Sequence, residues 1–204
     1  MELFFSPLSC ALASRITMYE AGLPATYTRV DGKTKTTADG RNYLEINPRG
    51  QVPAIKTSDG EVLTENVSVL EFLADQSPKA NLVPAGMERT RMRKWLGFVN
   101  SEIHVGAMTA ILSSTAPEAA KTYAIERAQK ALAHVDKFLA GREWLSASFS
   151  IADIYLAVVS NWLQATPIKL AEYPNVAALQ KRVFSRPAAG KALAEELELY
   201  RAAA

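Results

Sequence analysis

Residues 2–20 read ELFFSPLSCALASRITMYE, and the rest of the N-terminal third is organised around them. The apolar run Leu3-Phe4-Phe5 reads as a short strand, which Ser6, Pro7 and Ser9 interrupt. A helical pattern then begins at Cys10, the chain's only cysteine, with Leu12, Ile16 and Tyr19 on one face. Ser9 is the expected N-cap, which puts Cys10 in the first helical turn. Unpaired N–H groups and the helix dipole favour negative charge there, so a thiol can shift toward neutrality and react as thiolate. The alternative is that Cys10 is a small buried hydrophobe.

Working outward, residues 25–30 give a second strand, bounded by Gly22-Leu23-Pro24 and Asp31-Gly32. Strand, helix and strand in this order predict a parallel βαβ unit with a right-handed crossover. The polar segment after it carries Lys33 and Lys35, either solvated or reaching an anionic ligand. Residues 41–46 predict a short helical turn ahead of the turn sequence Asn47-Pro48-Arg49-Gly50. Residues 51–55 and Val62-Leu63 then flank Ser58-Asp59-Gly60 as a hairpin, with Pro53 at an edge or strand entry. Thr64-Glu65-Asn66 opens a further helix with Thr64 as N-cap and Val67, Leu70 and Ala74 on one face. Glu65 either stabilises that helix start or, with Asn66 and the free N–H groups, helps hold a carboxylate ligand.

Composition narrows the class. The chain has 204 residues, 49% hydrophobic and 22% charged, with a formal net charge of +2. Neither nucleic acid nor an acidic surface is called for as a partner. One cysteine excludes an intramolecular disulfide framework and suggests a reducing compartment. No apolar run is long enough to span a membrane, so a soluble cytoplasmic protein is expected. There is no phosphate-binding glycine loop and no nucleophile elbow. Two histidines and one cysteine far apart do not make a metal site. Cys10 has no Cys-x-x-Cys partner, so any redox cycle would need an external resolving thiol.

The order βαβαββα within residues 1–78 is thioredoxin-like. Three motifs in order, Ser9-Cys10, then Asn47-Pro48-Arg49-Gly50-Gln51-Val52-Pro53, then Leu63-Thr64-Glu65-Asn66-Val67, resemble a glutathione transferase. Cys10 makes the chain most similar to the bacterial beta class. The resemblance implies glutathione as co-substrate, with Val52 offering its backbone N–H and C=O to the cysteinyl part and Pro53 in a cis peptide. It also implies Glu65 and Asn66 at the γ-glutamyl end and Lys35 near the glycyl carboxylate. Ala11 departs from the hydroxyl residue that often follows the cysteine in that class.

Residues 79–87 read as a linker, and from residue 88 the pattern is all-helical. A long helix over residues 88–113 carries the apolar stripe Met92, Leu96, Val99, Ile103 and Ala107. A second stripe of Gly97, Ser101, His104 and Met108 predicts a face against a cleft or another subunit. His104 alone reads as a hydrogen-bonded structural histidine. The resemblance instead matches Ser101-Glu102-Ile103-His104 to a beta-class segment whose histidine lies near the cysteine and accepts a proton from sulfur or donates to it. It adds Gly97, Ser101, Glu102 and Ile103 to the glutathione-contacting set and implies a homodimer. Gly97 stands where asparagine is usual, and Val105 where lysine is usual. Ser150 to Asp153 predict a capping box opening a central buried helix.

The expected function is therefore a glutathione transferase that conjugates glutathione to hydrophobic electrophiles. A Cys10–glutathione mixed disulfide and thiol-disulfide or peroxidase side activities accompany that expectation. The expected division is a glutathione-binding domain over residues 1–78 and a helical domain over 88–204 carrying the electrophile pocket and dimer contacts. The alternative is a non-catalytic ligand-binding or transcription-associated protein on the same fold.

Overall fold

The alternation of Leu3, Phe4 and Phe5 sends side chains to opposite faces of a sheet, so both faces must be covered. The computed structural model, which describes residues 1–202, has a four-stranded mixed sheet in the order β2-β1-β3-β4. The strands are β1 (Glu2–Phe5), β2 (Thr26–Arg29), β3 (Ala54–Lys56) and β4 (Val62–Leu63). β1 runs parallel to β2 with Leu3 opposite Tyr27, and antiparallel to β3 with Leu3 opposite Ile55. On one face Leu3, Phe5 and Ile55 pack with Ala11 and Met18 of helix α1 (Ala11–Ala21) and Val69 and Leu73 of helix α2 (Asn66–Asp75). On the other, Phe4 and Ala54 pack with Val30 and Tyr43.

The second helix of the expected βαβαββα order is only a single 3₁₀ turn, Tyr43–Glu45, capped by the Asn42 side chain. Tyr43 is fully buried against Phe4, and its hydroxyl donates to the Gln51 carbonyl. That turn is a plug under the sheet and too short to carry a helical stripe.

The chain divides into two units, Met1–Leu82 with the segment from Arg186 onward, and Val83–Ser185. The first therefore includes the last helix, α7 (Pro187–Arg201), which packs on α1. Arg15 of α1 joins the pair through a 2.6 Å ion pair to Glu195.

The second unit is helical. Helix α3 (Gly86–Phe98) continues without a break into a π-helical stretch, Val99–Met108, and a last α-turn, Thr109–Ile111. The expected stripe Met92, Leu96, Val99, Ile103 and Ala107 is fully buried. The expected second stripe does not hold together. Gly97 and Ser101 are exposed and His104 is half-buried, while the wider π turns bring Met108 into the core. Gly106 is what the π geometry needs, because a Cβ there would lie 2.3 Å from the Ser101 carbonyl oxygen.

Helices α4 (Glu118–Leu139), α5 (Ile151–Asn161) and α6 (Pro174–Phe184) complete the unit. α5 is apolar all round and buried from Ile151 to Ser160. Its capping box is present: Asp153 accepts the Ser150 N–H at 2.9 Å and also the Leu145 N–H at 2.8 Å. No helix among the described residues is long and apolar enough to cross a membrane.

Candidate functional site

In the first unit the candidate residues gather where α1, the loop before β3 and α2 meet. Helix α1 starts at Ala11, one residue later than the sequence suggests, so Cys10 is itself the N-cap. The Ser9 hydroxyl still accepts the Ala11 N–H at 3.2 Å. Cys10 is only 8% exposed, and its thiol donates to the Val52 carbonyl oxygen at 3.2 Å.

Of the two readings of Cys10, this environment favours the buried, protonated thiol. Burial pushes Cys10 up to about 12, although the N–H groups of Cys10 and Ala11 act the other way. The buried Glu196 and the carboxylate of Glu65 add to the rise. Desolvation of the thiolate outweighs the helix terminus.

Val52–Pro53 is a cis peptide. Its loop is held by two donors on the Gln51 carbonyl, the Tyr43 hydroxyl and the Asn47 amide, each at 2.8 Å. Lys35 lies across Gly50 in the left-handed region at φ 56°, and its ammonium donates to the Gly50 carbonyl at 2.9 Å. Gly50 sits at φ 61°, a left-handed backbone that favours glycine, and a Cβ there would also press on Leu44 Cδ2 at 3.0 Å and on the Lys35 stem at 3.2 Å.

Thr64 is not the cap of α2. Glu65 occupies that position with φ 64° and ψ 112°, a region that a residue with a Cβ enters only under constraint from its surroundings. Its carboxylate extends into solvent and pairs with Arg49 at 2.9 Å. Asn66, by contrast, is 7% exposed. Its Oδ1 accepts the Ser14 hydroxyl at 3.3 Å, and its Nδ2 has no hydrogen-bond partner among the described residues. A buried donor without an acceptor is costly, so this amide fits a ligand oxygen.

Three features here lie outside the sequence reading. Arg49 couples the Asn-Pro-Arg-Gly turn to Glu65. Glu196, from α7, is fully buried and accepts the Leu8 N–H at 2.7 Å, fixing the loop before Cys10 with Leu8 at φ 59°. Arg15 faces the other Glu196 oxygen at 3.8 Å. A lone glutamate on a helix 188 residues away in sequence gives no local signal.

In the second unit the candidates lie on the π-helical stretch. Ser101 and Gly97 are exposed, and Glu102 pairs with Arg127 of α4 at 2.8 Å. Ile103 is fully buried in the apolar stripe, so its side chain belongs to the core and is not offered to a ligand. His104 is half-buried, its Nδ1 is 2.5 Å from the Tyr155 hydroxyl, and its ring meets Trp162 edge-on at 4.9 Å. Burial pushes His104 down to about 4, so it is neutral at pH 7. Tyr155 in turn donates to Asn100 Oδ1 at 3.0 Å. Tyr155 reads in the sequence as one more apolar position of α5, which is why its hydroxyl escapes notice. No cluster of His, Cys, Asp and Glu suited to a metal occurs among the described residues.

Comparison with known proteins shows the family. Residues 9–76 match the family model for the glutathione S-transferase N-terminal domain, and residues 98–187 that for the C-terminal domain. The glutathione S-transferase GstA of Escherichia coli O157:H7 is 35% identical over 96% of this chain and 98% of its own length. Among solved structures, a ternary complex of BphK, a bacterial GST, superposes with a TM-score of 0.93 at 36% identity, covering 96% of this chain and 99% of that one. The bacterial beta class glutathione S-transferase of Sphingomonas chungbukensis gives 0.92 at 37% identity, over 96% and 98% of the two chains. A sphingomonad enzyme complexed with glutathione gives 0.92 at 38%, with the same coverage.

Proposed function

The chain belongs to the glutathione S-transferase family, and from that premise we propose how its own residues handle glutathione. The observation that carries the reading is the buried, unpartnered Asn66 amide at the N-terminus of α2, beside Glu65 at positive φ. The first N–H groups of a helix lack intrahelical acceptors and favour an anion. The γ-glutamyl carboxylate of glutathione supplies the missing acceptor to Asn66 Nδ2, and its ammonium group faces Glu65. Val52 pairs through its backbone with the cysteinyl part, and Lys35 turns from Gly50 toward the glycyl carboxylate.

Cys10 then acts as a hydrogen-bond donor. The cysteinyl amide of glutathione takes over the Val52 carbonyl, and the displaced Cys10 thiol, still protonated, turns to the glutathione sulfur. A donor at that point stabilises the glutathione thiolate that attacks the electrophile. His104, neutral with a nitrogen lone pair available, takes the role that the family resemblance implies and accepts the proton that the glutathione thiol gives up. The thiolate forms the sulfur–carbon bond as the electrophile's leaving group departs with its electron pair.

A Cys10–glutathione mixed disulfide is the slower reaction. It requires the Cys10 thiolate to attack oxidised glutathione, joining one half to Cys10 and releasing the other as thiolate. Burial keeps that thiolate scarce at pH 7.

The reading extends to a homodimer in the cytoplasm, with the first 78 residues serving glutathione. The helical remainder provides the apolar electrophile pocket and the dimer contacts. The test is conjugation of reduced glutathione to a chloronitrobenzene by the full chain. Saturable kinetics in glutathione are expected. The absence of both conjugation and glutathione binding would overturn the reading in favour of a non-catalytic binding protein.

A further inference from the structure

We propose that Tyr155 and Asn100 are positioning residues that hold His104 as its Nδ1–H tautomer and present Nε2 as a bare proton acceptor. The argument is a count of protons. A tyrosine hydroxyl has one proton to give, and Tyr155 gives it to Asn100 Oδ1 at 3.0 Å. The 2.5 Å contact between Tyr155 Oη and His104 Nδ1 therefore takes its proton from the imidazole. In a neutral ring that leaves Nε2 unprotonated, and Nε2 has no hydrogen-bond partner among the described residues.

The three groups are rigidly mounted. Tyr155 is fully buried on α5, the central helix of its unit. Asn100 and His104 sit four residues apart on the π-helical stretch, so one hydroxyl reaches both. The rings of Tyr155 and Trp162 stand at 88° and 68° to the imidazole and fix its plane. Burial favours the neutral ring, so the arrangement offers a lone pair and not a cation.

The consequence is chemical. When Nε2 takes a proton, the positive charge spreads to Nδ1–H, which already points at the Tyr155 oxygen. That oxygen is made a better acceptor by its own donation to Asn100. The opposite tautomer would place a proton on Nε2, making that nitrogen a donor and leaving the acceptor lone pair on Nδ1, facing Tyr155. The role of the relay in glutathione chemistry rests on the proposed proton-accepting role of His104, but the tautomer does not.

Nitrogen-15 NMR of the full chain tests it. With only two histidines, His104→Ala assigns the spectrum at once. At pH 7 the His104 ring is expected to show a protonated Nδ1 and an unprotonated Nε2. Tyr155→Phe should mix the tautomers, Asn100→Leu should do so in part, and Asn100→Asp, which keeps an acceptor oxygen, should restore the Nδ1–H form. A protonated Nε2 in the unmodified protein, or an unchanged tautomer in Tyr155→Phe, would overturn the proposal. If the tautomer is as stated but His104→Ala conjugates at the unmodified rate, the relay stands and the proton-accepting role fails.

Discussion

The Cys10 thiol donates to the Val52 carbonyl oxygen across 3.2 Å, so the chain's only cysteine is tied to a backbone acceptor. Both groups belong to the proposed glutathione-binding surface. Until a ligand amide displaces it, the thiol is buried, bonded and protonated.

Cys10 should therefore alkylate slowly near neutrality. Its rate with iodoacetamide, followed by intact mass, should still climb about tenfold per pH unit between pH 9 and 10, where an ordinary thiol has begun to level off. Levelling near pH 8.5 would mean that burial does not control the thiol. The sign for stability follows. With the folded thiol raised to about 12, the unfolded chain loses its proton first, so stability falls as pH rises from about 9 toward 12. Cys10→Ala should lessen that fall, most clearly between about pH 9 and 10, below the range in which the raised hydroxyls of Tyr27 and Tyr43 add their own.

Glu196 is the second pH-dependent group. Burial raises its carboxyl to about 7, against hydrogen bonding from Leu8 and the charge of Arg15. The folded state thus holds the proton more tightly than the unfolded one. Its contribution is fully present below the unfolded value of about 4.3 and is lost as pH rises through about 7. Glu196→Gln should lessen the decline in urea stability between pH 5 and 8. An identical decline in both proteins would exclude Glu196 as its source. Glu196→Ala should cost about 1.5–3 kcal/mol by leaving the Leu8 N–H without its charged acceptor.

Two glycines on one helix should respond oppositely to alanine. At Gly106 a methyl group meets the Ser101 carbonyl at 2.3 Å, so the π-helical stretch must shift, at a cost of about 1–3 kcal/mol. At Gly97 a methyl group meets nothing within 4 Å, and alanine should be neutral or stabilising by up to about 1 kcal/mol. Thermal midpoints of the two variants read the contrast, and equal effects would contradict it.

The sequence carried the strand of Leu3 to Phe5, the hairpin around Asp59-Gly60 and the capping box at Ser150 because each rests on local patterning or local hydrogen bonds. The resemblance carried the cis Val52–Pro53 peptide. What escaped was set by distance or by geometry off the ideal period. Helix periodicity of 3.6 misplaced the face holding Ser101 and Met108, because π turns take more residues. Cys10 stayed open between a reactive thiolate and a small buried hydrophobe because a helix terminus is visible in sequence while burial is not. Glu196 reaches Leu8, and Tyr155 reaches His104, across 188 and 51 residues, and neither glutamate nor tyrosine stands out in its own helix.

Titration calorimetry of reduced glutathione against the unmodified chain and Asn66→Leu tests the central claim most directly. Leucine keeps the volume and removes the unpartnered Nδ2 donor. The account predicts saturable binding by the unmodified chain, weakened about 10- to 100-fold in the variant, the cost of about 1.5–3 kcal/mol expected for a lost hydrogen bond to a charged group. Equal affinity for the two proteins would contradict it and place the glutathione carboxylate elsewhere.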